Sequence, residues 1–319
     1  VALAVAVTFL TGCASADSGP VAFRTSDSAQ PSGTADAGPD DSSSSAVDAP
    51  PELAPGAAAT GTGKMTANPS GASQDTKLSW SEDFDGPEGS VPQSTVLGYR
   101  LGGSGWGNNE LQSYTAQPTN ASLDGNGNMA IRAIRETYTG TDNYTRQWTS
   151  ARLDTLEKFS FTTGTISVRL KVPTGAGMWP AFWLLGSDLP TVGWPESGEI
   201  DVLEALGGKN QMYSSVHGPT DSKKPYDRTS AINLPAGQSM GDDYHVFSVT
   251  RKTGRIDFFT DGKLTATFTP ADLKPGERWV FDKPMFLTVN LAVGGWPGAP
   301  TASTPSPSVL LVDWIRFYS

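Results

Sequence analysis

No stretch between residues 77 and 319 places an apolar residue every three or four positions over the length of a helix. The region is built instead from short apolar or alternating runs, such as Met129 to Ala133, Thr165 to Val172, His245 to Val249 and Ile256 to Phe259. Gly, Pro, Asn and Asp separate them, and Asp261-Gly262 reads as a hairpin turn before Lys263 to Phe268. Successive side chains of a strand point to opposite faces, so an alternating strand hides its apolar face only against another layer. The expectation is an all-β fold, an antiparallel sandwich or barrel without long helices. A content of 35 Gly and 24 Pro suits the many turns this requires.

The composition changes at Lys77. From Ala14 to Thr76 the chain is Ser, Ala, Pro, Asp, Gly and Thr with almost no large apolar side chain. Such a segment cannot bury enough surface to offset its ordering entropy. Residues 13–76 are therefore expected to be a disordered tether, and residues 77–319 the folded domain. Val1 to Leu10 is apolar and too short to span a bilayer comfortably, which suits the core of a signal peptide. The Leu10-Thr11-Gly12-Cys13 ending resembles a bacterial lipobox. Residues 1–12 then read as a lipoprotein signal peptide and Cys13 as the lipidated residue, with a bacterial cell-surface location. An ordinary secretory signal cut near Ala14-Ser15-Ala16, giving a freely secreted protein, is the alternative.

Charge and chemistry-bearing residues exclude several classes. The net charge of -10 disfavours nucleic acid, whose phosphates want Lys and Arg. One cysteine allows neither an intrachain disulfide nor a thiolate metal cluster. The two histidines, His217 and His245, form no HExxH, and no Gly-rich run precedes a Lys-Ser/Thr pair.

The stretch with the most chemistry is Gly198-Glu199-Ile200-Asp201-Val202-Leu203-Glu204. In a regular strand Glu199 and Asp201 share a face and Glu204 takes the other. A β-bulge at Val202-Leu203 would absorb one residue and return Glu204 to the common face. Three carboxylates together repel and drive their pKa values apart, which suits acid/base work. Glycoside hydrolysis needs such a pair, about 5–5.5 Å apart for retention of configuration and about 6.5–9.5 Å for inversion. A solvated acidic strand face is the plain alternative. Trp179, Trp183 and Trp194 lie just upstream, and indoles stack on the apolar faces of sugars. Each alone fits a packed core equally well.

The segment from Trp80 to the C-terminus resembles glycoside hydrolase family 16, in its bacterial laminarinase-like branch. The residues that carry the resemblance are Trp80 to Phe84, Gly105 to Gln112, Thr149 to Leu153, Met178 to Trp183, Gly198 to Gly208, Val216 to Gly218, Asn290 to Gly298 and Val312 to Trp314. The resemblance implies a β-jelly-roll sandwich of two antiparallel sheets with a concave substrate groove. It implies Glu199 as nucleophile, Glu204 as general acid/base and Asp201 as the residue that orients them. Trp183 and Trp194 resemble sugar-stacking residues, and Asn109 and Arg152 resemble polar contacts to sugars on the non-reducing side. A salt bridge supporting the groove is the alternative for Arg152. His217 resembles a histidine beside the acid/base on the neighbouring strand, with a buried structural role as its alternative. Trp296 sits in a loop of the kind that carries ligand contacts, or packs that loop. Glu82, the carbonyl near Gly127 and Asp313 match a structural calcium site. No cofactor is implied for the chemistry. The implied activity is retaining endo-hydrolysis of β-1,3 bonds in laminarin-like or mixed-linkage β-glucans by a monomer that meets the membrane only through its lipid anchor. Action on a β-galactan, agarose or carrageenan is one rival, and a non-catalytic glucan-binding surface protein is another.

Overall fold

The computed structural model describes residues 77–234 and 237–319. Cys13, the signal segment 1–12 and the segment 13–76 lie outside the described residues. One sheet has eight strands: β1 (Leu78–Glu82), β4 (Ala121–Leu123), β5 (Met129–Ala133), β10 (Gly164–Lys171), β15 (His245–Lys252), β16 (Arg255–Thr260), β17 (Lys263–Phe268) and β19 (Ser308–Tyr318). The other has seven: β2 (Gly98–Tyr99), β9 (Arg152–Asp154), β11 (Met178–Gly186), β12 (Glu199–Leu206), β13 (Gln211–Pro219), β14 (Pro225–Ile232) and β18 (Met285–Val293). Every pairing within these two sheets is antiparallel, as a jelly-roll sandwich requires. A short pair beside them, β3 (Gln112–Tyr114) with β8 (Trp148–Ser150), is parallel and departs from the expected pattern. The hairpin β6 (Tyr138–Thr139) and β7 (Thr145–Arg146) completes the strands. The α-helix among the described residues, α1 (Leu189–Val192), is a single turn.

Alternation explains how the sheets stack. Met285, Leu287, Val289, Leu291 and Val293 of β18 enter the core between the sheets, with Ile166, Val168 and Leu170 of β10 and Leu310, Val312 and Ile315 of β19. The other face of β18 is also covered, and it carries the polar Thr288 and Asn290 between Phe286 and Ala292. That face belongs to the seven-stranded sheet's outer side, where the carboxylates of β12 stand. The seven strands run in the order β14-β13-β12-β11-β18-β9-β2, so β12 is held from both sides.

The register of the eight-stranded sheet sets the backbone positions of Glu82, Gly127 and Asp313 near one another. Strand β19 pairs with β5 through Val312 and with β1 from Ile315, so it changes neighbour at Asp313. Glu82 faces Ile315, and Gly127 ends the turn just before Met129, which faces Val312. Asp313 Oδ2 accepts from Arg169 Nη1 at 2.5 Å, and Glu82 Oε1 accepts from the Phe84 amide at 3.0 Å. Two carboxylates and a carbonyl are hard oxygen donors that fit Ca²⁺.

Candidate active site

The register of β12 breaks between Asp201 and Glu204. On β13, Asp201 faces Ser215 and Glu204 faces Tyr213, so Val202 and Leu203 together oppose Ser214. On β11, Asp201 faces Trp183 and Leu203 faces Phe182, which makes Val202 the extra residue. Ser214 Oγ donates to the Val202 carbonyl at 2.9 Å. Val202 and Leu203 are adjacent, yet both side chains enter the core with Ile200 and Ala205. A regular strand cannot bury two neighbours on one face. Burying each contributes about 1.5–3 kcal/mol, which holds the bulge in place. Glu204 is thereby returned to the face of Glu199 and Asp201, as parity required.

Asp201 is 2% exposed, while Glu199 and Glu204 are half-buried. His217 of β13 faces Glu199, and its Nε2 lies 3.0 Å from Asp201 Oδ2. The sequence expectation placed this histidine beside the acid/base. The register places it beside the proposed nucleophile, and the cross-strand neighbour of Glu204 is Tyr213. One ligand atom from each of Glu199, Asp201 and His217 lies within 4.8 Å of the other two, the one such metal-sized trio among the described residues.

The cluster's electrostatics separate the two glutamates. Burial, then the charge of Asp201, pushes Glu199 up to about 8, while His217 and Arg152 pull it down. Burial followed by the charges of Asp201 and Glu199 raises Glu204 well above the usual carboxylate range. Glu204 has His217 and the Trp179 hydrogen bond to oppose this; the Arg152 charge is among the groups that relieve Glu199. Burial disfavours a charged His217, but Asp201, Glu199 and Glu204 outweigh it and hold the imidazole up to about 10. As a coupled pair the two carboxyls do not both ionise easily, and the Arg152 charge that relieves Glu199 favours it as the one that does. That is the division between a nucleophile and an acid.

Aromatic side chains flank the acids. Trp179 Nε1 donates to Glu204 Oε1 at 3.1 Å. Trp296 meets Trp179 edge-on at 6.1 Å and lies 4.9 Å from Tyr213, with 43% of its surface exposed. Trp194 is 49% exposed and 6.5 Å from the His217 ring. Trp296 therefore stands at the Glu204 end and Trp194 at the Glu199 end. Arg152 of β9 lies 4.5 Å over the Trp183 ring and 4.7 Å from that of Trp106, between the two indoles. The supporting salt bridge to Asp154 is made by Arg100, so Arg152 is not the strut that one reading allowed. Arg152 also covers one side of Trp183, which limits that ring as a sugar platform. Asn109 is exposed in a turn at φ 57°, a conformation Asn tolerates better than most residues.

Sequence reasoning singled out neither Trp179 as a partner of Glu204 nor Glu110, Tyr114 and Asn290 as parts of the site. Trp179 was within reach, because it lies four residues before Trp183 and so shares its face. Glu110 and Tyr114 lie four residues apart and hydrogen-bond each other, but Asn290 joins them only by a tertiary contact.

A bulged strand that presents two glutamates around a buried aspartate, floored by indoles on a jelly roll, defines a carboxylate-pair glycoside hydrolase. Residues 110–316 match the model of glycosyl hydrolases family 16, and the chain belongs to that family. A beta-glucanase of Rhodothermus marinus is 36% identical over 257 residues, covering 76% of this chain and 85% of its own length. Glucan endo-1,3-beta-glucosidase A1 of Niallia circulans is 32% identical, covering 76% of this chain and 37% of that longer protein. Among solved structures, the catalytic domain of an endo-1,3-beta-glucanase (laminarinase) from Thermotoga petrophila superposes with a TM-score of 0.71 at 37% identity, covering 77% of this chain and 98% of that one.

Proposed function

We propose that this chain is a retaining endo-hydrolase of internal β-1,3-glucosidic bonds in laminarin-like glucans, extending to bonds of mixed-linkage glucans. The observation that carries the reading is the bulge at Val202-Leu203, which sets Glu199 and Glu204 on one face around Asp201. Glu199 attacks the anomeric carbon; the bond to the leaving sugar breaks, and the leaving oxygen takes the Glu204 proton. Glu204, now a carboxylate, takes a proton from water, whose oxygen attacks the same carbon and frees Glu199. Asp201 and His217 keep Glu199 oriented between the two steps. Exposed Trp194 and Trp296 offer apolar faces at the two ends.

Reducing-end release from laminarin, lichenan, curdlan and agarose tests the reading. Laminarin and curdlan are expected to be cut internally, with the β-anomer formed first by proton NMR. Cutting of agarose alone would assign another polysaccharide, and binding of a β-glucan without cleavage would assign a binding module.

Asp201→Asn should move both limbs of the pH–activity profile to lower pH. The charge of Asp201 raises Glu199 and Glu204 alike, so its removal lets both ionise earlier. The loss in kcat/KM is expected to be about 10- to 100-fold, the scale of a small misplacement. Limbs that stay in place would show that Asp201 does not tune the pair.

We also propose that Glu82, the Gly127 carbonyl and Asp313 hold a structural Ca²⁺, which would tie β1 and the β4–β5 turn to β19. Chelation should lower the melting temperature and added Ca²⁺ restore it, with Asp313→Ala insensitive to both. Surface anchoring through Cys13 rests on the leader pattern, and a diacylglyceryl mass on that residue tests it.

A further inference from the structure

Glu110 is a buried acid that the reaction does not use. It is 5% exposed, and the backbone bridges it to Gly294 beside β18. Its Oε1 accepts from Asn108 Nδ2 at 3.3 Å, and its Oε2 accepts from Gln112 Nε2 at 2.6 Å and Tyr114 Oη at 3.0 Å. The polarity of these bonds is fixed from both ends. The Val293 amide can only donate, and it donates to Gln112 Oε1 at 2.7 Å, so the amino group of Gln112 must face Glu110. The Trp183 indole N–H can only donate, and it donates to Asn290 Oδ1 at 2.7 Å. Asn290 Nδ2 must then face the Tyr114 oxygen, which it reaches at 3.0 Å. Tyr114 accepts there, so its single proton goes to Glu110. Two chains of donors thus converge on one carboxylate oxygen that has to accept. Burial raises the Glu110 pKa, while Gln112, Arg152, Tyr114 and Asn108 oppose the rise.

At its far end this chain reaches the groove. Trp183 faces Asp201 across β11 and β12, and its ring carries the Arg152 guanidinium. Arg152 Nε is buried and makes no hydrogen bond, so stacking and charge hold the side chain where hydrogen bonds do not. The charges that sustain it include Glu110 and Glu199. The second indole of the clamp, Trp106, leans on Tyr114 at 5.5 Å. Tyr114 therefore touches the clamp through its ring and the chain through its hydroxyl.

We propose that Glu110 is a positioning residue, whose carboxylate orients Tyr114, Asn290 and Trp183 in series and thereby fixes Arg152 beside Glu199 for the sugars that bind there. The proposal rests on the glucanase reading for its substrate, and on the chain of hydrogen bonds for its content. No element of it requires Glu110 to touch a sugar. A network of this kind acts as a unit, so cutting any link should loosen the same clamp.

Three variants of the full chain test it with laminari-oligosaccharides as substrates. Tyr114→Phe keeps the ring against Trp106 and removes the hydroxyl alone. It should raise KM by about 10-fold, the scale of one buried hydrogen bond, with kcat changed by less than about 3-fold. Glu110→Gln keeps an acceptor oxygen for Gln112 and Tyr114 and should recover most of the oligosaccharide affinity that Glu110→Leu loses. Near-ultraviolet circular dichroism should show the tryptophan bands altered in Tyr114→Phe and Glu110→Leu and close to wild type in Glu110→Gln. If Tyr114→Phe does not fold, Asn290→Leu cuts the same chain one link nearer the groove and is read the same way. Wild-type KM in Tyr114→Phe or Asn290→Leu, or a KM in Glu110→Gln as poor as in Glu110→Leu, overturns the proposal. A wild-type chain that neither binds nor cuts any β-glucan would overturn the glucanase reading instead, and the dichroism would still report on the clamp.

Discussion

Glu199→Gln is expected to lower kcat/KM on laminarin by about 10⁵-fold or more, since it replaces the attacking carboxylate with an uncharged amide that is a far poorer nucleophile. Glu204→Gln is expected to lower it by about 10²- to 10⁴-fold, the range of a lost general acid. An aryl β-glucoside substrate separates the two roles. A phenolate of low basicity leaves without a proton, so Glu204→Gln should still form the glycosyl-enzyme and release one equivalent of phenol in a burst. The intermediate then accumulates because no base activates water, and intact-protein mass should show the sugar on Glu199. Glu199→Gln should show neither burst nor adduct. A burst in Glu199→Gln would reverse the assignment. The same variants should be more stable than wild type at neutral pH. The Glu199 carboxyl titrates near 4.5 when unfolded and at about 8 when folded. A raised pKa favours the folded state below 4.5, and that contribution is lost as the pH rises to 8. Gln has no proton to lose, so the advantage of Glu199→Gln in thermal melts should grow from pH 4.5 to 8 and vanish below. An advantage that does not depend on pH would show that Glu199 carries no such burden.

Much of this site was legible because its signals are local. Parity within six residues demanded a bulge, and Val202 and Leu203 supplied two apolar side chains for the same core face. The sandwich followed from alternation and from the absence of a helical period. What stayed hidden depends on which strands become neighbours. His217 lies on the strand next to β12, but which carboxylate it faces is set by the pairing of β12 with β13, which puts Glu199 opposite His217 and Glu204 opposite Tyr213, four residues away. Glu110 and Asn290 are 180 positions apart in sequence, and the residue between them in the hydrogen-bond chain, Tyr114, reads as a core aromatic. Arg152 was identified as a groove residue while its stacking between Trp106 and Trp183 was not, because no spacing rule links β9, β11 and the loop at residues 105–110.

Two single-residue deletions in β12 should give opposite results although they lie two positions apart. Deleting a residue from a strand normally turns everything beyond it to the other face. Val202 is the residue by which β12 exceeds β11, so its removal leaves Leu203 opposite Phe182 and Glu204 opposite Ala181, where they already are. On β13, Leu203 would oppose Ser214 alone, and Glu204 would still face Tyr213. The three acids stay on one face in a regular strand. The costs are one buried Val, about 1.5–3 kcal/mol, and the Ser214 bond to the lost carbonyl. At about 2–4 °C per kcal/mol this protein should still fold, several degrees less stable. Glu204 shifts by a fraction of a residue against Trp179, so the loss in kcat/KM should stay near 100-fold. Deleting Ile200 offers no such escape. Either Glu199 turns into the core, where an unpaired carboxylate costs several kcal/mol, or Asp201 to Leu206 shift against both neighbours and put Asp201 there instead. That variant should be insoluble or lack measurable activity. Soluble expression, thermal melts and laminarin cleavage compare the pair directly. Equal damage from both deletions would mean that the bulge is not the element that sets the faces of Glu199 and Glu204.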